Sequence, residues 1–444
     1  MEEFIKTITE QIRYEKVRNH VARELSDHIS DQAQAYEASG ESHEKALERA
    51  VREMGDPVEI GVALDRIHRP RTDWRMLVMA FAFSILGLII MCTVGGLSEY
   101  YSVGKQCFFT VLGFGVMMGI YFLDYSFIGK YGIAVYLAWT AVFILYSLTG
   151  QRIHGRVPAL SIAAYLYAPI FAGVLYRFRG KGCAAVCKSL ALLLLTVTLV
   201  GKCAENVPAT VNLYLICSVL LVFALWDGWF RVSRKWTFVL LFVMLIAIPA
   251  LMTGYILCFG AGYQAMRLRA FLNPQAYAAG AGYLYNIIQE ILANVRWVGG
   301  MPVDEASVSS VIMHENVFLP LHLAVRYGLL TGFVPMLAFA LFIVRAAHIT
   351  VRQQNRLGRM VAAACVLVFF VNCIEGLFLN VGLYPISSIT LPFLSHGGAA
   401  TLTYAVLIGF LLSVCRHEKL VSDSPSQKEW GWRLSVKPER HVNE

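Results

Sequence analysis

Ten apolar runs of roughly 20 residues each, the length that carries an α-helix across a bilayer, occupy residues 76–96, 107–124, 132–149, 157–176, 184–201, 208–226, 236–258, 317–344, 360–381 and 399–415. The chain of 444 residues is 57% hydrophobic and 15% charged, with a mean hydropathy of +0.57. That is far too apolar for a soluble protein of this size. The expected fold is all-α, a polytopic membrane protein with ten transmembrane helices. A net charge of +8 raises the question of nucleic acid. The basic residues, however, are scattered through short loops and form neither a basic face nor a binding motif, so nucleic acid is set aside as a partner. Cysteines such as Cys92, Cys217, Cys365 and Cys373 fall inside apolar runs and read as small buried hydrophobes. Cys183 and Cys187 lie four apart with no second Cys/His pair after them, which argues against a metal site.

Residues 1–71 differ from the rest. They are charged and helical in pattern rather than basic and then apolar, so no cleavable signal peptide is expected and a small cytoplasmic helical domain is. Val21, Leu25, Ile29 and Ala33 share one helix face, and Gly40 supplies a stop. Ser42 is placed as the N-cap of a second helix that ends at Gly55. Asp56, Pro57 and Glu59 then form a start signal for another. The "MGDP" turn at residues 54–57 resembles that of a helical prefix domain found ahead of some bacterial permeases; the domain reads as regulatory or partner-binding, or else as a passive fold that only aids insertion. With this domain in the cytoplasm, the short inner segments hold seventeen Lys and Arg residues and the outer ones seven. The positive-inside rule then sets both termini in the cytoplasm, with residues 72–420 as the membrane domain and 421–444 as a disordered tail.

Two regions depart from simple spans. The long outer segment 260–315 carries Arg267, Arg269, Glu290, Arg296, Asp304 and Glu305, with His314 and Glu315 where the eighth run opens; connections this long usually carry function. The stretch "LPFLSHGG" at 391–398 breaks helical regularity between two apolar runs, because Pro392 lacks a donor and Gly397 and Gly398 permit unusual backbone angles. Irregular backbone at membrane depth is tolerated where it is buried or lines a wet cavity. Ser395, His396 and the free N–H groups then face a polar pocket, or else the stretch is a plain re-entrant turn. Within the ninth run, Glu375 shares a face with Asn372 and lies near Asn380. An intramembrane carboxylate marks a functional site, so that Glu375 lines the cavity as a substrate-binding residue, or else it pairs with a basic residue on a neighbouring helix.

Three stretches together resemble the SEDS family, the FtsW/RodA/SpoVE group. The first is "RLRAFLNP" at 267–274 with the following "GAGY" and "YNIIQ" ending at Gln289. The second is "LPFLSHGG", with "NVG" at 380–382 before it, and the third is "HENVFLPLHLAVRYGLLTG" at 314–332. The resemblance implies a bacterial cytoplasmic-membrane glycosyltransferase that polymerises lipid II into peptidoglycan glycan strands, with a class B penicillin-binding protein transpeptidase as partner. It also implies a cell wall role in division, elongation or sporulation. It brings Asn273, Gln289, His314, Asn316, Ser395, His396, Gly397 and Gly398 to the substrate. The family's presumed catalytic aspartate falls on Asn316, which cannot take up a proton as a carboxylate can. Glu315, Asp304 and Glu305 are the candidate bases in its place. Arg267 and Arg269 suit the leaving pyrophosphate. A divalent cation could share that role, though no ligand spacing announces one. Two alternatives stay open: a non-catalytic precursor-binding or scaffold protein, favoured by Asn316, and a lipid or solute transporter, suggested by Glu375. Against transport, no matched pair of interrupted helices is visible in the two halves.

Overall fold

The computed structural model describes residues 1–68, 72–95, 103–152, 157–259, 262–301, 318–385, 391–392 and 397–417. Four helices come first: α1 (Glu2–Gln11), α2 (Glu15–Ala38), α3 (His43–Glu53) and α4 (Pro57–His68). Two turns between them need glycine, with φ at +101° for Gly40 and +94° for Gly55. Asp56 Oδ1 accepts the Val58 N–H at 2.9 Å and so caps α4. Ser42 occupies the N-cap position of α3, but its side chain makes no capping bond. Val21, Ile29 and Ala33 are buried as one face of α2. The unit meets the rest of the chain where the Tyr14 ring lies 6.2 Å from that of His417.

The remaining helices build a bundle: α5 (Trp74–Gly95), α6 (Val103–Phe122), α7 (Ser126–Thr149), α8 (Pro158–Ala163), α9 (Tyr167–Phe178), α10 (Cys183–Ala204), α11 (Val207–Trp226), α12 (Arg234–Phe242), α13 (Ile248–Phe259), α14 (Gly262–Leu272), α15 (Tyr283–Asn294), α16 (Leu319–Tyr327), α17 (Leu329–Arg352), α18 (Arg356–Asn380) and α19 (Gly398–Arg416). A 3₁₀ turn joins α8 to α9, and a π-helical turn joins α12 to α13, so each pair makes one span. Among the described residues nine helical spans are long and apolar enough to cross a membrane, and α5 adds a shorter apolar stretch, Trp74–Ile90. The expected eighth run, 317–344, is not one span. Gly328 at φ +105° ends α16, a Cβ there would sit 2.8 Å from the Trp297 carbonyl oxygen, and the crossing helix is α17.

α9, α11, α18 and α19 are the most buried elements, with α6 laid along α19 and α7 along α9. At the end beside the N-terminal helices, here the proximal end, ion pairs tie spans together. Arg345 Nη2 bonds Asp73 Oδ2 at 2.8 Å, and Arg359 Nη2 bonds Asp227 Oδ2 at 2.5 Å.

The π turn has a specific cause. Its register bonds the N–H of residue i to the carbonyl of i−5, as Ile248 does to Val243. The next donor in that register would be Pro249, which has no N–H, so the Met244 carbonyl lacks its helical partner. The Tyr214 hydroxyl of α11 donates to that carbonyl at 2.8 Å. Tyr214→Phe is expected to destabilise the protein by about 0.6–1.7 kcal/mol, the range for buried interhelical hydrogen bonds in membranes. Unfolding of parent and variant in mixed micelles measures it.

Candidate functional site

Several of the expected site residues lie at the distal end of the bundle. Within "LPFLSHGG", Leu391 and Pro392 are buried, while Ser395 and His396 lie outside the described residues. Gly397 has φ +144°, and its N–H, expected to face a polar pocket, donates to Oε1 of the groove-lining Gln106 at 3.3 Å. Gln106 Nε2 donates to Thr401 Oγ1 at 3.2 Å, and Thr401 Oγ1 donates back to the Gly397 carbonyl at 3.1 Å. Gly398 needs its missing side chain for a different reason, since a Cβ would lie 2.6 Å from the Phe109 ring. A groove between α5, α6 and α19 runs from Gln106 and Thr401 past Ser84, Thr110 and Tyr404. Gln106 was missed from sequence. Its signal is a carboxamide in the first turn of a largely apolar helix, the kind of group a membrane span retains for a partner.

Glu375 on α18 is 5% exposed. Its Oε2 accepts from Asn212 Nδ2 of α11 at 2.6 Å, and its Oε1 accepts from the Tyr384 hydroxyl at 2.5 Å. Asn212 Nδ2 also donates to the Tyr165 hydroxyl at 3.2 Å, which extends the cluster to the turn between α8 and α9. The carboxyl group is therefore hydrogen-bonded at both oxygens by neutral side chains, the arrangement that lets a polar group sit among apolar spans. Asn372, one turn earlier, spends its Nδ2 on the Val368 carbonyl at 2.8 Å. Burial, and then the neighbouring Glu375 carboxylate, raises the Tyr384 phenol above its ordinary range, so its hydroxyl stays a donor.

Asn380 ends the same helix. Its Nδ2 donates to the Gly376 carbonyl at 2.8 Å, and its Oδ1 accepts the Leu321 N–H at 3.2 Å. Leu321 sits in the first turn of α16, where backbone donors lack helical partners. Below it, Phe318, Leu321 and Leu379 pack with Ile288 and Ile291 of α15. The candidate bases Asp304, Glu305 and Glu315, with His314 and Asn316, lie outside the described residues. The chain on either side of them is tied together: Gly299 N–H donates to the Tyr327 carbonyl at 3.1 Å and Met301 N–H to that of Val325 at 2.9 Å.

Arg267 and Arg269 stand on α14. Arg269 is exposed and donates to the Leu257 carbonyl of α13 at 3.3 Å. Asn273 works locally, its Oδ1 accepting the Ala276 N–H at 3.3 Å across the "FLNP" turn. Gly282 of "GAGY" closes that turn, because a Cβ would meet the Pro274 carbonyl oxygen at 2.2 Å. Gln289 is exposed on α15.

A family model described as cell cycle protein, FtsW/RodA/SpoVE, matches residues 73–420. The peptidoglycan glycosyltransferase MrdB of Escherichia coli (strain K12) is 28% identical over 166 residues, 36% of this chain and 44% of that protein. Stage V sporulation protein E of Bacillus subtilis (strain 168) is 26% identical over 172 residues, 38% and 46% of the two chains. The matched region thus spans less than half the length of these two relatives. A probable peptidoglycan glycosyltransferase FtsW of Geobacter sulfurreducens (strain DL-1 / KN400) is 22% identical over 370 residues, 78% of this chain and 95% of its own. Among solved structures, a chain of a peptidoglycan synthase complex that coordinates polymerization and crosslinking superposes with a TM-score of 0.61 at 18% identity, covering 79% of this chain and 99% of its own. The rod shape determining protein RodA of Thermus thermophilus gives 0.52 at 14% identity, covering 78% and 97%. At these identities the superpositions establish the fold.

Proposed function

The chain belongs to the FtsW/RodA/SpoVE family, and from that premise we propose that it is a membrane glycosyltransferase polymerising lipid II into peptidoglycan glycan strands. The observation that carries this reading is the family match across nearly the whole membrane-embedded part, residues 73–420. Residues 1–71 are then a cytoplasmic prefix domain and 421–444 a cytoplasmic tail, an orientation supported by the seventeen-to-seven distribution of Lys and Arg. The distal end faces outward, where a lipid-linked precursor presents its sugars. A transpeptidase of the class B penicillin-binding type is the partner, a reading supported by the likeness to a synthase complex named for polymerization and crosslinking.

In the reaction, a sugar hydroxyl displaces lipid pyrophosphate from an anomeric carbon. A carboxylate from Asp304, Glu305 or Glu315 takes the hydroxyl proton, while Arg267 and Arg269 meet the charge that builds on the leaving pyrophosphate. Substrate contacts are assigned to His314, Asn316, Gln289, Asn273, Ser395, His396 and the backbone at Gly397 and Gly398. Glu375, whose two oxygens accept from Asn212 and Tyr384, is assigned a role behind the site rather than on the substrate. The second reading, a non-catalytic precursor-binding or scaffold protein, is favoured by Asn316 at the family's aspartate position. Incubation of the purified protein with labelled lipid II, with products resolved by length, tests the proposal, and strands longer than the precursor are the expected product.

A further inference from the structure

The last turns of α18 touch three separate pieces of the distal end within six residues. Glu375 accepts from Tyr384, which lies just past the turn where Gly382 adopts φ +75° and the Leu383 N–H closes on the Phe378 carbonyl at 2.7 Å. Gly376 leaves the space into which Leu391 packs; a Cβ there would lie 2.0 Å from Leu391 Cδ2. Leu391 in turn belongs to a buried cluster with Leu323 of α16 and Met336 of α17. Asn380 holds the Leu321 N–H at the start of α16. Glu375 is also anchored from behind by Asn212 of α11, so the helix that does the holding is itself braced.

From this geometry we infer that the C-terminal turns of α18 are a positioning hub, in which Glu375 and Asn380 set the places of the Tyr384 turn and of the first turn of α16. Both elements flank connections that the proposed glycan polymerisation uses, and the inference rests on that reading for its effect on turnover. Neither residue is a catalytic residue. Each acts through a hydrogen bond to another part of the chain, and misplacement of a reacting group by a remote change of about 1 Å can cost on the order of 10²-fold in rate.

Two measurements on the full-length protein test it together. In strand formation from lipid II, Asn380→Leu, Glu375→Ala and Tyr384→Phe are each expected to lower kcat by roughly 10- to 100-fold with KM little changed, because none of them touches substrate. Asn380→Asp keeps an oxygen acceptor for the Leu321 N–H and is expected to retain most of the parent kcat. Glu375→Ala with Tyr384→Phe should be no worse than Glu375→Ala alone, since both remove one bond. Amide hydrogen exchange reads the positions directly, whether or not turnover occurs. It should speed up at Leu321 in Asn380→Leu only, and at residues 381–384 in Glu375→Ala and Tyr384→Phe only. If the parent makes no strands, exchange alone decides, and this selective pattern upholds the hub while the polymerase reading fails. Parent-like exchange at both places overturns the hub, as does a rise in KM that accounts for the lost rate.

Discussion

Gly173→Val is expected to be the most damaging single change to the fold, costing about 3 kcal/mol or more. Gly173 of α9 lies against α7, where even an added Cβ would come within 2.3 Å of Ile128 Cγ2 and 2.6 Å of the Ile128 carbonyl oxygen. The opposing glycine, Gly132, is 3.1 Å by the same measure from the Gly173 backbone. Two glycines face to face let the helix backbones approach closely, which is how membrane helices gain packing without a hydrophobic driving force. A side chain cannot rotate away from a carbonyl, so the seam has to open. Because α9 also packs on α18, the displacement reaches the helix that carries Glu375. Gly115→Ala on α6 is the control. Nothing lies within 4 Å of a Cβ there, and the change is expected to be neutral or to stabilise by up to about 1 kcal/mol through helix propensity. Thermal or mixed-micelle unfolding of the two variants beside the parent compares them.

The second large effect concerns the proton. Of Asp304→Asn, Glu305→Gln and Glu315→Gln, one is expected to lower strand formation by about 10²- to 10⁴-fold, the usual contribution of a positioned general base, with lipid II binding retained. The amide isosteres keep the shape of the side chain while removing its charge and its ability to take up the proton, with an NH2 donor in place of one acceptor oxygen. Glu315 is adjacent in sequence to Asn316, onto which the resemblance puts the family's presumed catalytic aspartate, although one residue along a helix turns a side chain by about 100°. Asp304 and Glu305 lie about ten residues earlier, on chain whose near end is tied to the end of α16 through Gly299, Met301, Val325 and Tyr327. Initial rates of strand formation for the three variants identify the base, and parent-like rates in all three place it elsewhere.

Hydropathy carried much of the fold. Apolar runs such as 184–201 and 208–226 lie inside α10 and α11, and the glycine stops at Gly40 and Gly55 are where left-handed backbone occurs. Both signals are local. The break at Gly328 is hidden because the stretches flanking Arg326–Gly328 are predominantly apolar, so the run of hydropathy continues through a place where the helix stops. The site was less legible. Glu375 and Asn212 are 163 residues apart, and Gln106 and Gly397 are 291 apart. A polar residue in a span shows that a partner exists, but which one depends on the packing order of the helices, which the apolar pattern does not encode. The same holds for Gly173. One of 35 glycines, it is distinguished only by what stands opposite it.

Initial-rate strand formation by the purified full-length protein, with labelled lipid II and with binding of lipid II verified in the same sample, tests the enzymatic assignment most directly. Length-resolved glycan strands are the expected result, formed by the parent protein and lost in one of the three carboxylate variants. Lipid II that binds but is recovered unpolymerised, with a class B transpeptidase partner and a divalent cation both added, would contradict a glycosyltransferase and make Asn316 the mark of a precursor-binding scaffold.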